Sequence, residues 1–334
     1  MIYFPPMLGV LARRVAAIAT VVALTIAVAT APASAATAPA SSVKGTMHLY
    51  IPDAFLVSRH LVTVPGRIVH IEGVVRPYVA GQTVVVRALV GGRQFKQDVV
   101  RVTPAAGGRY GHFTEALSSP RGGQVVVEAG HKATATLGGI FARRDFAALD
   151  EQARPGSTGP FVQLIQQRLA ALHLYIPQTG VFDSGTGLAL DAYHRLLHWG
   201  TYQGLDGRTI SYLLDGFGAF KVRFPSHGRH AEGNLSLQLL ALIDGSRVTQ
   251  IYPISSGKPS TPTILGDFHV YSKVPGYLPD GMYFSNFFIS GYAIHGYNPA
   301  PDFPASHGCM RVPIVDAISI FNWLQIGNWV DTYY

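Results

Sequence analysis

Cysteine is almost absent from this chain: Cys309 is the only one among 334 residues. A lone thiol closes no internal disulfide and builds no multi-cysteine zinc site, so a disulfide scaffold and a cysteine-rich metal knot are both excluded. Charge is sparse too, with 13% Asp, Glu, Lys and Arg against 48% hydrophobic residues. Stability must therefore come from ordinary apolar cores, and the length allows two or three of them. Clustered metal donors are also missing. His48, His60, His70, His112 and His131 are scattered at irregular spacing, and His227 and His230 form the one close pair downstream, with no carboxylate at ligand spacing. This spacing predicts no metal site.

What is present begins with a leader. Arg13 and Arg14 precede a stretch, Val15 to Thr30, that is uncharged and mostly Ala, Val, Ile and Leu, and Ala33-Ser34-Ala35 supplies a small-residue cleavage pattern. This predicts a secretory signal peptide over residues 1–35, followed by an Ala/Thr/Pro/Ser linker over 36–45. If the leader stayed on, its sixteen uncharged residues would fall just short of a span and would give a transient membrane association. The body of the chain is expected outside the cytoplasm in either case, membrane-anchored if the leader is not cleaved. Net charge is +7, and removal of the two leader arginines leaves +5. So modest an excess suits an anionic polymer such as a bacterial wall; no nucleic acid partner is expected, and the protein is expected to be a monomer.

Three blocks follow. Over 46–145 the sequence is β-branched, alternating and broken by glycine pairs, as in Arg67–Val75, Gln82–Val90, Asp98–Val102 and Gly123–Ala129, with Gly91-Gly92 and Gly107-Gly108 as turns. Short strands at this spacing predict a small antiparallel, Ig-like β-sandwich. Over 155–217 the period changes to three and four. Val162, Ile165, Leu169 and Leu172 mark one amphipathic helix, Leu190, Tyr193 and Leu197 a second between Ser184 and Trp199, and Asp206-Gly-Arg-Thr209 starts a short third. Over 233–334 strands return. Leu235 to Gly245 is predicted as one long apolar strand ending in an Asp-Gly hairpin, with Arg247–Ile254 as its partner.

Cys309 lies in this last block, in Ser306-His307-Gly308-Cys309, and His295 lies fourteen positions upstream in Ala-Ile-His-Gly-Tyr. A free cysteine is often an inert core residue. Here it follows a polar, flexible run and precedes Met310 and Arg311, and two imidazoles are near enough in sequence to serve as base, so the pattern reads as an activated nucleophile. The whole segment AIHGYNPAPDFPASHGCMR resembles the active-site signature of the L,D-transpeptidases (YkuD-like catalytic domain). The resemblance extends upstream to Ser256–Phe268 and downstream through Asp316-Ala317 and Trp323 to Ile326–Val330. The helical block, in its Gly180-Val-Phe-Asp183, Tyr193 and Leu205-Asp206-Gly207, resembles the three-helix peptidoglycan-binding module, with Tyr193-His194 where that family has Phe-Gln.

The first resemblance implies a mainly β, secreted enzyme that joins peptidoglycan stem peptides through a thioester on Cys309, forming 3→3 cross-links; the second implies contact with wall glycan as well. The first further implies His295 as base, its other nitrogen oriented by the carbonyl of Gly296, with His307 as the competing base. Ser306 would hydrogen-bond within the site, while Gly308 and Cys309 would aim backbone N–H groups at the oxyanion. Arg311 would fix the loop or pair with a substrate carboxylate, and Tyr283 and Tyr292 would line the cleft together with Tyr271 and Phe284. A base sharing the proton would hold the thiol below its ordinary pKa of about 8.5. The catalytic block is expected to react on its own when residues 36–217 are removed. Two alternatives keep a place: water as acceptor, giving a carboxypeptidase or hydrolase, and a wall-binding protein with a vestigial thiol. A zinc peptidase would need three clustered ligands, which the sequence does not offer.

Overall fold

The alternation of buried and exposed residues along the first block folds it into two sheets. The computed structural model describes Ser42–Tyr334, so the predicted leader and all but the end of the predicted linker lie outside the described residues. Ten strands come first: β1 (Thr46–Tyr50), β2 (Phe55–Val57), β3 (His60–Thr63), β4 (Ile68–Arg76), β5 (Thr83–Val90), β6 (Arg93–Arg101), β7 (Thr103–Pro104), β8 (Gly111–Ser118), β9 (Gly123–His131) and β10 (Ile140–Ala148). They pair as β1-β4-β8-β7 and β2-β3-β10-β9-β5-β6. In β5, every second residue from Val84 to Val90 is buried, and these side chains meet Ile71, Val75 and Phe113 of the facing sheet in a closed core. This is the period of two expected for strands with one face in the core.

The helical block supplies α1 (Pro160–Ala171), α2 (Ser184–Leu196) and α3 (Gly207–Leu214). Helices α2 and α3 begin on an aspartate whose side chain accepts the backbone N–H three residues on: Asp183 from Thr186 at 2.9 Å and Asp206 from Thr209 at 2.7 Å. Tyr193 and Leu190 are fully buried, as their spacing predicts.

The last block contains β11 (Arg229–Asn234), β12 (Leu239–Asp244), β13 (Arg247–Pro253), β14 (Gly266–His269), β15 (Ser272–Tyr277), β16 (Tyr283–Ile289), β17 (Tyr292–Gly296), β18 (Met310–Val312), α4 (Ile314–Trp323) and β19 (Trp329–Tyr333). Its sheets run β13-β12-β11-β19-β14 and β15-β16-β17-β18. Here the sequence misleads at one point. Leu235–Gly245 is not one strand, because residues 235–238 turn between β11 and β12, with Gln238 at φ 53°. The apolar residues flanking that turn hide it, whereas Asp244-Gly245 turns as read.

Strand β12 explains its own lack of alternation. Leu239, Ala241 and Ile243 point into a core shared with the helical block, while Leu240 and Leu242 point into the core of the last block. A strand buried on both faces reads as a continuous apolar run. The shared core also takes in Val57, Val62 and Val64 of the sandwich, and the backbone of His173 and Tyr175 bonds to Ile251 on the open edge of β13. The three blocks are therefore packed on one another. Among the described residues strands account for 42% and helices for 16%, so the fold is mainly β. Among the described residues no helix is long and apolar enough to cross a membrane.

Candidate active site

Parallel pairing of β17 with β18 creates the site. His295 stands opposite Arg311 and Ile294 opposite Met310, so the chain entering β18 brings Cys309 alongside Ala293. The Ala293 N–H donates to Cys309 Sγ at 3.4 Å, and the thiol lies 3.7 Å from the carbonyl oxygen of Gly291. Cys309, His295, Ser306, His307 and Arg311 line one cavity of about 480 Å³, together with Tyr292, Tyr297, Asp280 and Met282. A slightly larger hollow of about 520 Å³ lies between the sandwich and α3, but its lining, which includes Arg67, Glu151 and Asp215, holds no cysteine or histidine.

His295 is buried at 2% exposure, and its Nδ1 is 3.0 Å from the carbonyl of Gly296. A carbonyl can only accept, so Nδ1 carries the hydrogen and Nε2 keeps its lone pair. Burial pushes the imidazole below its ordinary pKa, the Arg311 charge adds to this, and the Gly296 bond opposes it. Burial pushes the Cys309 thiol up, against the Ala293 bond and Arg311, which favour the thiolate. Both shifts favour the neutral forms and run against the expectation of a depressed thiol pKa.

His307 is oriented differently. Its Nε2 is 3.2 Å from the Lys258 ammonium, which donates to it, so this lone pair is already occupied. Ser306 is fully buried and organises the loop, its Oγ donating to the Cys309 carbonyl at 2.6 Å and accepting from the Gly308 N–H at 3.0 Å. That second bond corrects the expected oxyanion pair, because the Gly308 amide is engaged inside the loop. Among the described residues none accepts the Cys309 N–H. Gly308 is needed for a different reason. It sits at φ 121°, and a Cβ there would lie 1.8 Å from Cε1 of Tyr292.

Arg311 has no carboxylate within ion-pair distance among the described residues; its guanidinium lies 4.1 Å over the Tyr297 ring, and Nη1 reaches the Ala305 carbonyl at 3.4 Å. Of the expected aromatics only Tyr292 lines the cavity. Tyr283, opposite Gly296 in the sheet, packs on Tyr277 and Phe284 instead, and Phe284 packs on Phe321 of α4. Tyr271 bonds to the carbonyl of Ser290 and does not line the cavity. Sequence reasoning missed Tyr297, although its place two residues after His295 in an extended segment was a signal for the same face. Asp280 and Met282, from the loop before β16, gave no such signal. Beside the distant pair His227 and His230, the structure places Asp331 at 3.0 Å and Glu232 at 3.2 Å, carboxylates the spacing did not suggest. Even so, no group of three donors suited to a metal occurs among the described residues.

A geometry of this kind, a thiol and an oriented imidazole at the mouth of paired parallel strands, defines a candidate cysteine acyl-transfer site. Residues 228–331 match the YkuD family model, described as the L,D-transpeptidase catalytic domain. An L,D-transpeptidase from Xylanimonas cellulosilytica is 29% identical, over 54% of this chain and 97% of that one, at a TM-score of 0.50. An L,D-transpeptidase from Stackebrandtia nassauensis is 16% identical over 55% of this chain and 95% of that one, at 0.35. The catalytic domain of the E. faecium L,D-transpeptidase is 25% identical over 32% of this chain and 98% of that one, at 0.29. Comparison with curated proteins gave no match. Residues 228–331 are thus an L,D-transpeptidase catalytic domain, and this family acts on peptidoglycan stem peptides.

Proposed function

We propose that this protein is an extracytoplasmic peptidoglycan L,D-transpeptidase in which Cys309 is the nucleophile and His295 the base. The observation that carries the reading is the convergence of the thiol, the oriented imidazole of His295 and the unpaired Arg311 on one cavity. Cys309 Sγ attacks the carbonyl of the third stem residue while Nε2 of His295 takes the thiol proton. The developing oxyanion accepts the free Cys309 N–H, a donor of a kind worth roughly 3 to 4 kcal/mol in the transition state. Collapse breaks the amide bond, and His295 returns the proton to the departing D-alanine amine. The side-chain amine of a second stem then attacks the thioester, giving a 3→3 cross-link and regenerating the thiol. Arg311, which faces the same cavity as Asp280 but makes no ion pair among the described residues, would hold a stem carboxylate. In this scheme Ser306 and Gly308 shape the loop, His307 stays peripheral, and no metal or organic cofactor takes part.

We further propose that the leader exports the chain and that the helical block contacts wall glycan, with the domain limits read from the sequence. Incubating the full mature chain with a disaccharide tetrapeptide tests the activity. Release of D-alanine with stoichiometric dimer is expected; D-alanine with only tripeptide would make water the acceptor and the protein a carboxypeptidase. Gly308→Ala is expected to slow acylation about a hundredfold, since a displacement of the reacting atoms on the order of 1 Å has that cost. Timed intact-mass measurements with ertapenem, which acylates the E. faecium catalytic domain, would read this.

A further inference from the structure

The nucleophile loop is braced from the helical block, which itself contributes nothing to the cavity. On α2, Asp191 and Arg195 lie one turn apart, at 1% and 5% exposure, with Oδ2 and Nη2 at 2.5 Å. Nη1 of Arg195 donates to two carbonyls of the catalytic domain, Gln238 at 2.9 Å and Ile254 at 3.0 Å. These residues flank the open end of the β12–β13 hairpin, where the Ile254 N–H also donates to the Gln238 carbonyl.

From there the bonds run on without a break. The Gln238 amide, buried, donates from Nε2 to Ser256 Oγ at 2.7 Å and accepts the Ser256 N–H at 2.8 Å. The Ser256 carbonyl accepts the N–H groups of Ala305 and Ser306 at 2.9 and 3.0 Å, and Ser306 Oγ holds Gly308 and Cys309. Gln238, Ser256 and Ser306 are all buried, so water cannot readily replace a lost partner along this path.

Stability alone does not call for such a pair, because a buried ion pair is often no better than apolar side chains of the same volume. Its placement does have a use. A planar guanidinium anchored by Asp191 reaches two carbonyls at once and fixes the height of the strand end from which the loop hangs. We propose that Arg195 is a positioning residue for Cys309, so that the helical block is a working part of the active site as well as any wall contact it makes. The proposal rests on the reading of Cys309 as nucleophile.

The test uses the full mature chain and ertapenem as probe. In the reaction the thiol sulfur bonds to the lactam carbonyl carbon, the ring C–N bond breaks, and the ring nitrogen gains the proton, so no co-reactant is needed. Replacing the pair together, Asp191→Leu with Arg195→Met, avoids leaving a lone buried charge. We expect the double variant to melt within a few degrees of wild type while its acylation rate constant falls at least tenfold and its non-covalent affinity for ertapenem is unchanged. Arg195→Lys, which keeps the charge but not the fork, should fall between the two. A folded double variant that acylates at the wild-type rate overturns the proposal. Should the double variant not fold, Arg195→Lys decides: a rate at least threefold down supports the brace, and equality with wild type overturns it. Wild-type protein that gains no mass on Cys309 would instead overturn the underlying assignment of the nucleophile.

Discussion

Cys309→Ala is expected to abolish both acylation by ertapenem and release of D-alanine, with a fold indistinguishable from wild type. The thiol is irreplaceable chemically because no other side chain in the cavity combines nucleophilicity with a free reaction path. Ser306, the one hydroxyl close by in sequence, is fully buried and already donates to the Cys309 carbonyl. Structurally the sulfur matters little. It receives one N–H at 3.4 Å and touches one carbonyl at 3.7 Å, contacts whose loss should cost about 1–3 kcal/mol. Intact mass after incubation, together with a melting curve, separates the two effects. Turnover surviving in this variant would move the chemistry to another residue.

The candidate nucleophile loop was legible in the sequence because its contacts are local. Ser306-His-Gly-Cys309 is a four-residue loop, and its serine, glycine and cysteine bond or pack within reach of their own neighbours. Strands in the sandwich were legible for a similar reason, since one face is buried and the other is wet, so alternation survives in β4 and β5. Legibility failed where contacts are long-range. The turn at 235–238 was hidden because β12 is buried on both faces and the flanking residues are uniformly apolar. Tyr283 was misplaced because aromatic residues on a strand serve a core as readily as a cleft, and only the docking of α4 decides between them.

The shared core argues against the expectation that the catalytic block reacts on its own. Cutting at Phe217 would strip Leu239, Ile243 and Ile251 of their cover, and burying side chains of this size contributes about 1.5–3 kcal/mol each. It would also remove Arg195 and the backbone partner of the β13 edge.

The division of labour between the two histidines gives the second large effect. Because burial raises the thiol and lowers the imidazole, the pair should not exist as a preformed thiolate and imidazolium at neutral pH. Alkylation of Cys309 by iodoacetamide is therefore expected to have its midpoint above about 8.5, the ordinary thiol value. Acylation should behave differently. It needs His295 neutral, and a group whose pKa is lowered loses its proton earlier as pH rises, so the acid limb should lie below about 6.5. His295→Gln removes the proton acceptor and should cut acylation by about 10²–10⁴ while leaving the alkylation midpoint nearly in place, since His295 is already neutral in that range. Arg311→Gln should move both features upward, because its positive charge disfavours imidazolium and favours thiolate. The limbs belong to a coupled site, so it is the joint displacement that identifies Arg311 as its charge. His307→Ala, removing a ring whose Nε2 is taken up by Lys258, should change the acylation rate by less than tenfold. An acid limb unmoved by His295→Gln but lost with His307→Ala would transfer the role of base to His307.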